Sequence, residues 1–371
     1  MGGLMYLFVL YLGIIIQINN CFSNSMIMTC LPKKHGALFI FGDSLFDNGN
    51  NNYINTTTDY QANYPPYGQT IFKYPSGRFS DGRMIPDIVA EYVGLPLLPP
   101  YLHPGHPEYI YGVNFASGGS GALSQTAQGS VIDLKTQLSY LRKVKKLLRE
   151  KLGHEKTEEW MFKSVYLFSV GSNDYGTLLD PNSGVLLPVD HQQFVDIVIG
   201  NLTNVIKEIY DLGGRKFGLL NVGPIGCSPS IRILVKNGRK DECLEEISAV
   251  ARLHNKKLTK MVQKLENQLE GFKYSITDFY SALSQVLEYP LKYGFKEASR
   301  ACCGSGPYRG EDSCGGNKGI KEYELCENVN EHVFFDSHHP TDKANQHFAK
   351  LIWNGNGNVT WPYNLKQLFE I

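Results

Sequence analysis

The sequence has no surplus of charge of either sign, because Lys and Arg together number 36 and Asp and Glu also number 36. Without a basic surplus there is no electrostatic reason to bind a polyanion, so we expect no nucleic acid partner. No apolar run reaches the roughly 20 residues that span a bilayer. No Cys-x-x-Cys pair or similar zinc spacing occurs either, and the cysteines therefore do not predict a metal site.

The N-terminus carries one short apolar stretch. The 15 residues from Leu4 to Ile18 are uncharged and are followed by small residues at Cys21 and Ser23. This pattern is typical of a cleaved secretory signal, although no Lys or Arg precedes the run. We predict a signal peptide at residues 1–23 and a secreted protein without a transmembrane segment. The alternative is an uncleaved membrane anchor.

Six cysteines lie in the last 150 residues or so, which favours a disulfide framework in a secreted chain over a metal site. Six cysteines permit about 15 connectivities, and the sequence does not select one. Asn-x-Ser/Thr sequons, which are candidate glycosylation sites, begin at Asn55, Asn201 and Asn358. Such triplets also arise by chance, so they support secretion only weakly.

Short apolar runs alternate with helical patterns along the chain, and no repeat or linker divides it. The alternation predicts an α/β fold with a mostly parallel sheet covered by helices on both faces. The apolar runs are 37–41, 111–115, 165–170, 217–222 and 274–277, and the helical patterns cover 131–152, 194–212, 247–269 and 341–353. Ligands of such sheets collect beyond the carboxyl ends of the strands, and polar clusters follow several of these runs.

Two of these clusters are rich in glycine. Gly42-Asp43-Ser44-Leu45 follows the first run, where a serine hydroxyl is well placed for exposure, although Gly-Asp-Ser alone is also an ordinary turn. Residues 113–121 carry several glycines, whose backbone N–H groups can approach an oxyanion or a phosphate closely. No Lys-Ser/Thr pair follows, which weighs against the phosphate. A plain glycine turn remains the alternative.

The other two clusters offer an amide and an acid–base pair. Asn173 follows the third run and can donate its side-chain N–H to a developing negative oxygen, or can form an Asx-turn. Asp336 and His339 are three residues apart on a loop before the last helix, where the carboxylate can orient the imidazole that a nucleophilic serine needs. Alternatives are a helix cap with surface histidines, or metal binding by His338, His339 and His347.

Taken together and in this order, the four clusters resemble the blocks of the SGNH hydrolase superfamily and, more narrowly, of the plant GDSL esterase/lipase family. The resemblance spans residues 41–340 and includes the stretches 74–83, 222–227 and 302–306. It implies a three-layer α/β/α fold with a flavodoxin-like sheet, in a single catalytic domain with long loops at residues 36–371. Phe335 stands where many relatives have Trp, a difference that we expect to affect packing and not chemistry.

The resemblance also implies roles for individual residues. Ser44 matches the nucleophile, His339 the base and Asp336 its carboxylate partner, with His338 as the rival base. The backbone N–H groups of Ser44 and Gly119 and the side chain of Asn173 match the donors of the oxyanion hole.

The activity implied is hydrolysis of a small-molecule or lipid acyl ester through an acyl-enzyme, with no metal and no cofactor. An acyltransferase would use the same intermediate, and a non-catalytic binding protein of the same fold is the more distant alternative. The sequence predicts neither the natural ester nor the oligomeric state.

Overall fold

The structure is a computed structural model, and it describes residues 21–24, 27–30, 36–105, 108–179, 190–235, 242–312, 314–316 and 322–371. Two short strands, β1 (Cys21–Asn24) and β2 (Ile27–Cys30), pair in antiparallel fashion near the N-terminus. Residues 1–20 of the predicted signal peptide lie outside the described residues. Cleavage after residue 23 and the domain limits of 36–371 therefore stay predictions.

A six-stranded sheet forms the centre of the fold. Its strands are β3 (Leu38–Gly42), β4 (Gly112–Asn114), β5 (Val165–Ser169), β6 (Lys216–Leu220), β7 (Lys273–Thr277) and β10 (Thr360–Pro362). The spatial order is β10-β7-β6-β5-β3-β4, and every pairing is parallel except that of β10 with β7. The five parallel strands follow the flavodoxin-like order, and this prediction is confirmed. A second pair, β8 (Cys303–Gly304) and β9 (Glu324–Leu325), lies in a separate small sheet.

Helices cover both faces of the sheet. They are α1 (Ile85–Val93), α2 (Leu134–Leu152), α3 (His154–Lys163), α4 (Ser172–Gly176), α5 (His191–Asp211), α6 (Pro229–Arg232), α7 (Glu245–Gln268), α8 (Phe279–Glu288), α9 (Asp342–Asn354) and α10 (Leu365–Glu370). Successive side chains of a strand point to opposite faces. Phe39 and Phe41 accordingly pack with α2, α5 and α7, while Leu38 and Ile40 pack with α1, α8, α9 and α10. This three-layer α/β/α single domain is the one predicted.

Capping residues set the helix ends more narrowly than the apolar pattern does. The pattern begins at residue 131, but α2 begins at Leu134 because the Asp133 carboxylate accepts a hydrogen bond from the Thr136 backbone N–H. Likewise, Thr341 accepts from the Ala344 N–H and starts α9. The pattern suggests a C-cap at Gly271, whereas α7 ends at Gln268 and Gly271, at φ +71°, lies in the turn before β7.

The six late cysteines form three disulfides, as predicted, with the connectivity Cys227–Cys243, Cys302–Cys326 and Cys303–Cys314. The neighbouring Cys302 and Cys303 thus bind two different partners. Side chains of Asn55, Asn201 and Asn358 are all exposed, as glycosylation requires. In the part of the chain that the structure describes, no helix is both long and apolar enough to cross a membrane.

Candidate active site

Ser44 lies two residues beyond β3, next to the centre of the sheet. Gly42 ends this strand at φ +132°, where a Cβ atom would come within 1.8 Å of the Ser169 carbonyl oxygen of β5. Only glycine permits so close an approach of the two backbones. Strand order reverses between β3 and β5, the position where ligands bind in sheets of this type. The Ser44 hydroxyl therefore lies half-buried in a cleft at this reversal of strand order, which is the topological switch point of the sheet.

His339 and Asp336 approach Ser44 from the loop before α9. The Nε2 atom of His339 lies 2.7 Å from the Ser44 hydroxyl oxygen, and its Nδ1 atom lies 2.8 Å from each carboxylate oxygen of Asp336. The same carboxylate accepts the backbone N–H groups of His338 and His339, at 2.9 and 2.7 Å. These bonds close the turn and bring together the three residues that the sequence singled out.

The electrostatics of Asp336 suit a permanently charged group. Burial alone would raise the pKa of its carboxyl group, but the charge of His339 and its hydrogen bond outweigh burial, aided by His338 and Tyr67. The net effect holds the pKa of Asp336 well below its usual range. A carboxylate that stays ionised can fix the tautomer of His339 and stabilise an imidazolium.

Tyr67 is a neighbour of Asp336 that the sequence did not reveal. Its phenol donates a hydrogen bond of 2.6 Å to Asp336 Oδ2, and its ring packs edge-on against Phe335. Burial is the larger cause and the charge of Asp336 the next that raise the pKa of Tyr67 well above its usual value. The phenol therefore stays protonated and remains a hydrogen-bond donor. The two residues are separated by 269 positions, and no local pattern connects them.

The glycine-rich loop after β4 carries Gly119 to the same cleft. Gly119 has φ +83°, and a Cβ atom there would lie 2.3 Å from the ring of Tyr60. Glycine is therefore required both for the backbone conformation and for the packing of this tyrosine. The Asp47 carboxylate, which follows the Ser44 turn, accepts the Gly118 N–H at 2.9 Å. This bond joins the loop directly to the segment that carries Ser44.

Asn173 comes from the first turn of α4, directly after β5. Its side-chain Nδ2 donates to the Ser120 carbonyl at 2.9 Å, which orients the amide toward the glycine-rich loop and leaves its second N–H available. The buried carboxylate of Asp174 accepts from the backbone N–H groups of Ala122 and Leu123 and from Thr126. Burial raises the pKa of Asp174 to about 6 despite these bonds. Residues 173 and 174 thus tie α4 to the loop of Gly119.

These side chains share one cleft of about 460 Å³ at the carboxyl edge of the sheet. Ser44, Gly119, Asn173, Asp336 and His339 all line it. An apolar wall stands beyond β6 and β7, made of Pro224, Ile225, Phe279 and Leu283. The volume of the cleft and its mixed apolar and polar lining are those of a site for a small organic ligand.

The two histidines that could compete with His339 lie elsewhere. His338 turns away from Ser44 and contacts Ser230 and Asp312, with a distance of 2.9 Å from its Nδ1 to the Ser230 hydroxyl. His347 belongs to α9 and packs against Tyr293, with ring centroids 5.1 Å apart. Within the described residues, no group of three or more His, Cys, Asp or Glu side chains is arranged to hold a metal ion.

An α/β/α fold with such a cleft at its switch point is compatible with many ligand-binding proteins and enzymes, and the comparisons with known proteins define which kind this is. Residues 38–352 match the family described as GDSL-like Lipase/Acylhydrolase. The chain belongs to this family. It is therefore an ester-hydrolysing enzyme of the type found in plants.

The curated relatives agree over nearly full length. GDSL esterase/lipase 1 of Arabidopsis thaliana is 49% identical, covering 95% of this chain and 94% of its own. GDSL esterase/lipase 5 of the same plant is 52% identical, with 90% and 88% covered. A GDSL lipase of Tanacetum cinerariifolium is 48% identical, with 92% and 90% covered. Among solved structures, a carbohydrate esterase aligns with a TM-score of 0.33 and 13% identity over 71% of this chain and 70% of its own, too distant to carry an argument.

Proposed function

We propose that the protein is a secreted serine esterase or lipase in which Ser44 is the nucleophile, His339 the general base and Asp336 the carboxylate that orients it. The observation that carries the proposal is the continuous line of hydrogen-bond distances from Ser44 Oγ through the imidazole to Asp336, 2.7 and 2.8 Å long. A serine hydroxyl is a weak nucleophile unless a base takes its proton as it attacks.

The mechanism has two steps. Ser44 attacks the ester carbonyl while His339 accepts its proton, and the alcohol then leaves with a proton returned by His339. Water, activated by the same imidazole, releases the acid from the acyl-enzyme. Both tetrahedral intermediates place a negative oxygen where the N–H groups of Ser44, Gly119 and Asn173 can donate to it. The support for these three donors is that they line one cleft and that hydrogen bonds hold two of their segments together.

Secretion through the signal peptide at residues 1–23 is part of the proposal. Three disulfides favour an oxidising compartment. Exposure of Asn55, Asn201 and Asn358 is compatible with glycosylation on the same route. The substrate is an acyl ester, either a small molecule or a lipid, because the apolar wall of the cleft offers a surface for an acyl chain.

A panel of esters with short to long acyl chains tests the proposal, with the Ser44→Ala protein as the blank. Loss of this nucleophile should lower turnover by on the order of 10⁴–10⁶ on every ester that the protein hydrolyses. Activity of Ser44→Ala within tenfold of the unmodified protein would rule out the serine mechanism. Analysis of the products with alcohols added would show whether acyl transfer competes with hydrolysis.

A further inference from the structure

A group of hydrogen-bonded polar side chains lies at the rim of the cleft, next to the proposed catalytic base. The imidazole of His338 is 2.9 Å from the Ser230 hydroxyl through Nδ1 and 3.1 Å from Asp312 Oδ1 through Nε2. Asp312 also accepts a hydrogen bond from Ser337. These four residues, Ser230, Asp312, Ser337 and His338, are called the polar rim. The side chains of His338 and Asp312 are 44% and 55% exposed and face solvent, whereas Ser337 is buried beneath them.

The polar rim is assembled from three separate segments that are fixed to one another. Ser230 donates its backbone N–H to the Ser337 carbonyl at 3.0 Å. Asp312 lies inside the segment closed by the Cys303–Cys314 disulfide. The His338 backbone N–H is held by the same Asp336 oxygen that holds the backbone of His339. The fold therefore fixes the distance of the polar rim from Ser44, His339 and Asp336, as a binding subsite requires.

The location identifies which part of an ester would meet the polar rim, and this step rests on the proposed function. When the ester bond breaks, His339 must give its proton to the alcohol oxygen, which therefore lies within hydrogen-bond distance of Nε2. The rings of His338 and His339 have centroids 5.8 Å apart. Asp312, Ser337 and His338 line the same cleft as Ser44 and His339, so we expect the part of the alcohol beyond its oxygen to extend toward the polar rim. The acyl chain then packs against the apolar wall of Ile225, Phe279 and Leu283.

The chemistry of the polar rim favours hydroxyl groups. Carboxylate oxygens accept several hydrogen bonds, and a serine hydroxyl both donates and accepts. An alcohol bearing phosphate or carboxylate would meet the negative charge of Asp312, and Asp59 also lines the cleft. We infer that the polar rim binds the alcohol portion of the substrate, and that this portion is uncharged and rich in hydroxyl groups, as in glycerol or a sugar.

Three butanoate esters test the inference, because all form the same acyl-enzyme and differ only in the alcohol. Glycerol monobutanoate and propyl butanoate have the same three-carbon alcohol with and without two further hydroxyls, and butanoylcholine carries a cation. The unmodified protein should prefer the glycerol ester to the propyl ester in kcat/KM by about tenfold, the effect of one or two hydrogen bonds at a solvated site. His338→Ala and Asp312→Asn should each remove most of this preference by raising KM, with the propyl ester changed by less than about threefold.

His191→Ala is the matched control, because His191 is exposed, does not line the cleft and should leave both rates unchanged. An unchanged ratio in both variants, or equal losses on both esters, would overturn the inference alone. A preference for butanoylcholine that disappears in Asp312→Asn would replace the polyol with a cationic alcohol. Hydrolysis that survives Ser44→Ala and vanishes in Ser230→Ala would make the rim catalytic, and would overturn the proposed function together with this inference.

Discussion

Replacing Tyr67 by Phe removes one hydrogen bond from Asp336 and little else. The ring keeps its edge-on contacts with Phe335 and Tyr64, whereas the 2.6 Å bond to Oδ2 is lost. A hydrogen bond to a charged group contributes about 1.5–3 kcal/mol. Asp336 retains two backbone N–H groups and the imidazole as partners, so we expect the lower end of that range. A loss of about 1.4 kcal/mol in transition-state stabilisation corresponds to a tenfold lower kcat/KM.

The pH dependence separates this role from a purely structural one. The hydrogen bond from Tyr67 is one of the causes that lower the pKa of the Asp336 carboxyl group, so this pKa should rise when the donor is removed. Since the carboxylate must be ionised to orient His339, the acid limb of the kcat/KM profile should move to higher pH in Tyr67→Phe. The assay is hydrolysis of one soluble ester from pH 4.5 to 9, with the melting temperature measured alongside.

Tyr64→Phe provides the matched control. Tyr64 packs edge-on against Tyr67, but its phenol donates to the Thr58 carbonyl and not to Asp336. This variant should retain both the rate and the profile. If Tyr67→Phe lowers only the melting temperature, or if both variants shift the acid limb equally, the reasoning about Asp336 is refuted.

Three further predictions follow from the cleft. Asn173→Ala should lower turnover by roughly 10²–10³ with little change in KM or melting temperature, and a stability loss without a catalytic defect would contradict its role as a donor. On a simple alkyl ester, His339→Ala should lose on the order of 10⁴-fold activity and His338→Ala less than about tenfold, and the reverse ranking would reassign the base. Burial raises the pKa of Asp43 to about 7. Because the folded state then binds this proton more tightly than the unfolded chain, stability falls between about pH 4 and pH 7, by the order of 2–4 kcal/mol. Asp43→Asn should show a smaller decrease in melting temperature from pH 5 to pH 8, and an equal decrease would argue against the raised pKa.

The alternation of apolar runs and helical stripes predicts a parallel sheet covered by helices on both faces, and the family resemblance adds its flavodoxin-like strand order. All five parallel strands lie within two residues of the predicted runs, because a buried parallel strand needs a continuous apolar segment. Helix ends were less well predicted where a side-chain cap decides them, as at Asp133. The antiparallel edge strand β10 has only three residues, too few to give a recognisable pattern.

The order of the four motif blocks indicated which residues to examine, and the sheet explains why they meet. Each lies beyond the carboxyl end of a strand or on the loop before α9, so that parallel topology gathers them at one edge. The sequence could not show which more distant residues hold these site residues in place through hydrogen bonds. Tyr67 and Asp336 are 269 positions apart, and Asp47 and Gly118 are 71 apart. Contacts of this range depend on how loops pack, and no local periodicity encodes that.

The same limitation applies to the disulfides and to His338. The crowding of six cysteines indicated that they pair, but their connectivity follows from the small sheet of β8 and β9, which brings Cys302 beside Cys326. The sequence offers His338 as the rival of His339 for the role of base, and the structure shows that it points away from Ser44. Its actual partners, Ser230 and Asp312, come from segments that are distant in the sequence.

The central claim is that Ser44 is the acylated residue, and covalent labelling tests it most directly. A fluorophosphonate reacts with a serine only when a neighbouring base activates it. Incubation with the reagent, followed by peptide mapping, should place a single label on the peptide containing Ser44, and none on the Ser44→Ala protein. His339→Ala should label far more slowly at the same position. A label on another serine, or undiminished labelling of Ser44→Ala, would contradict the account.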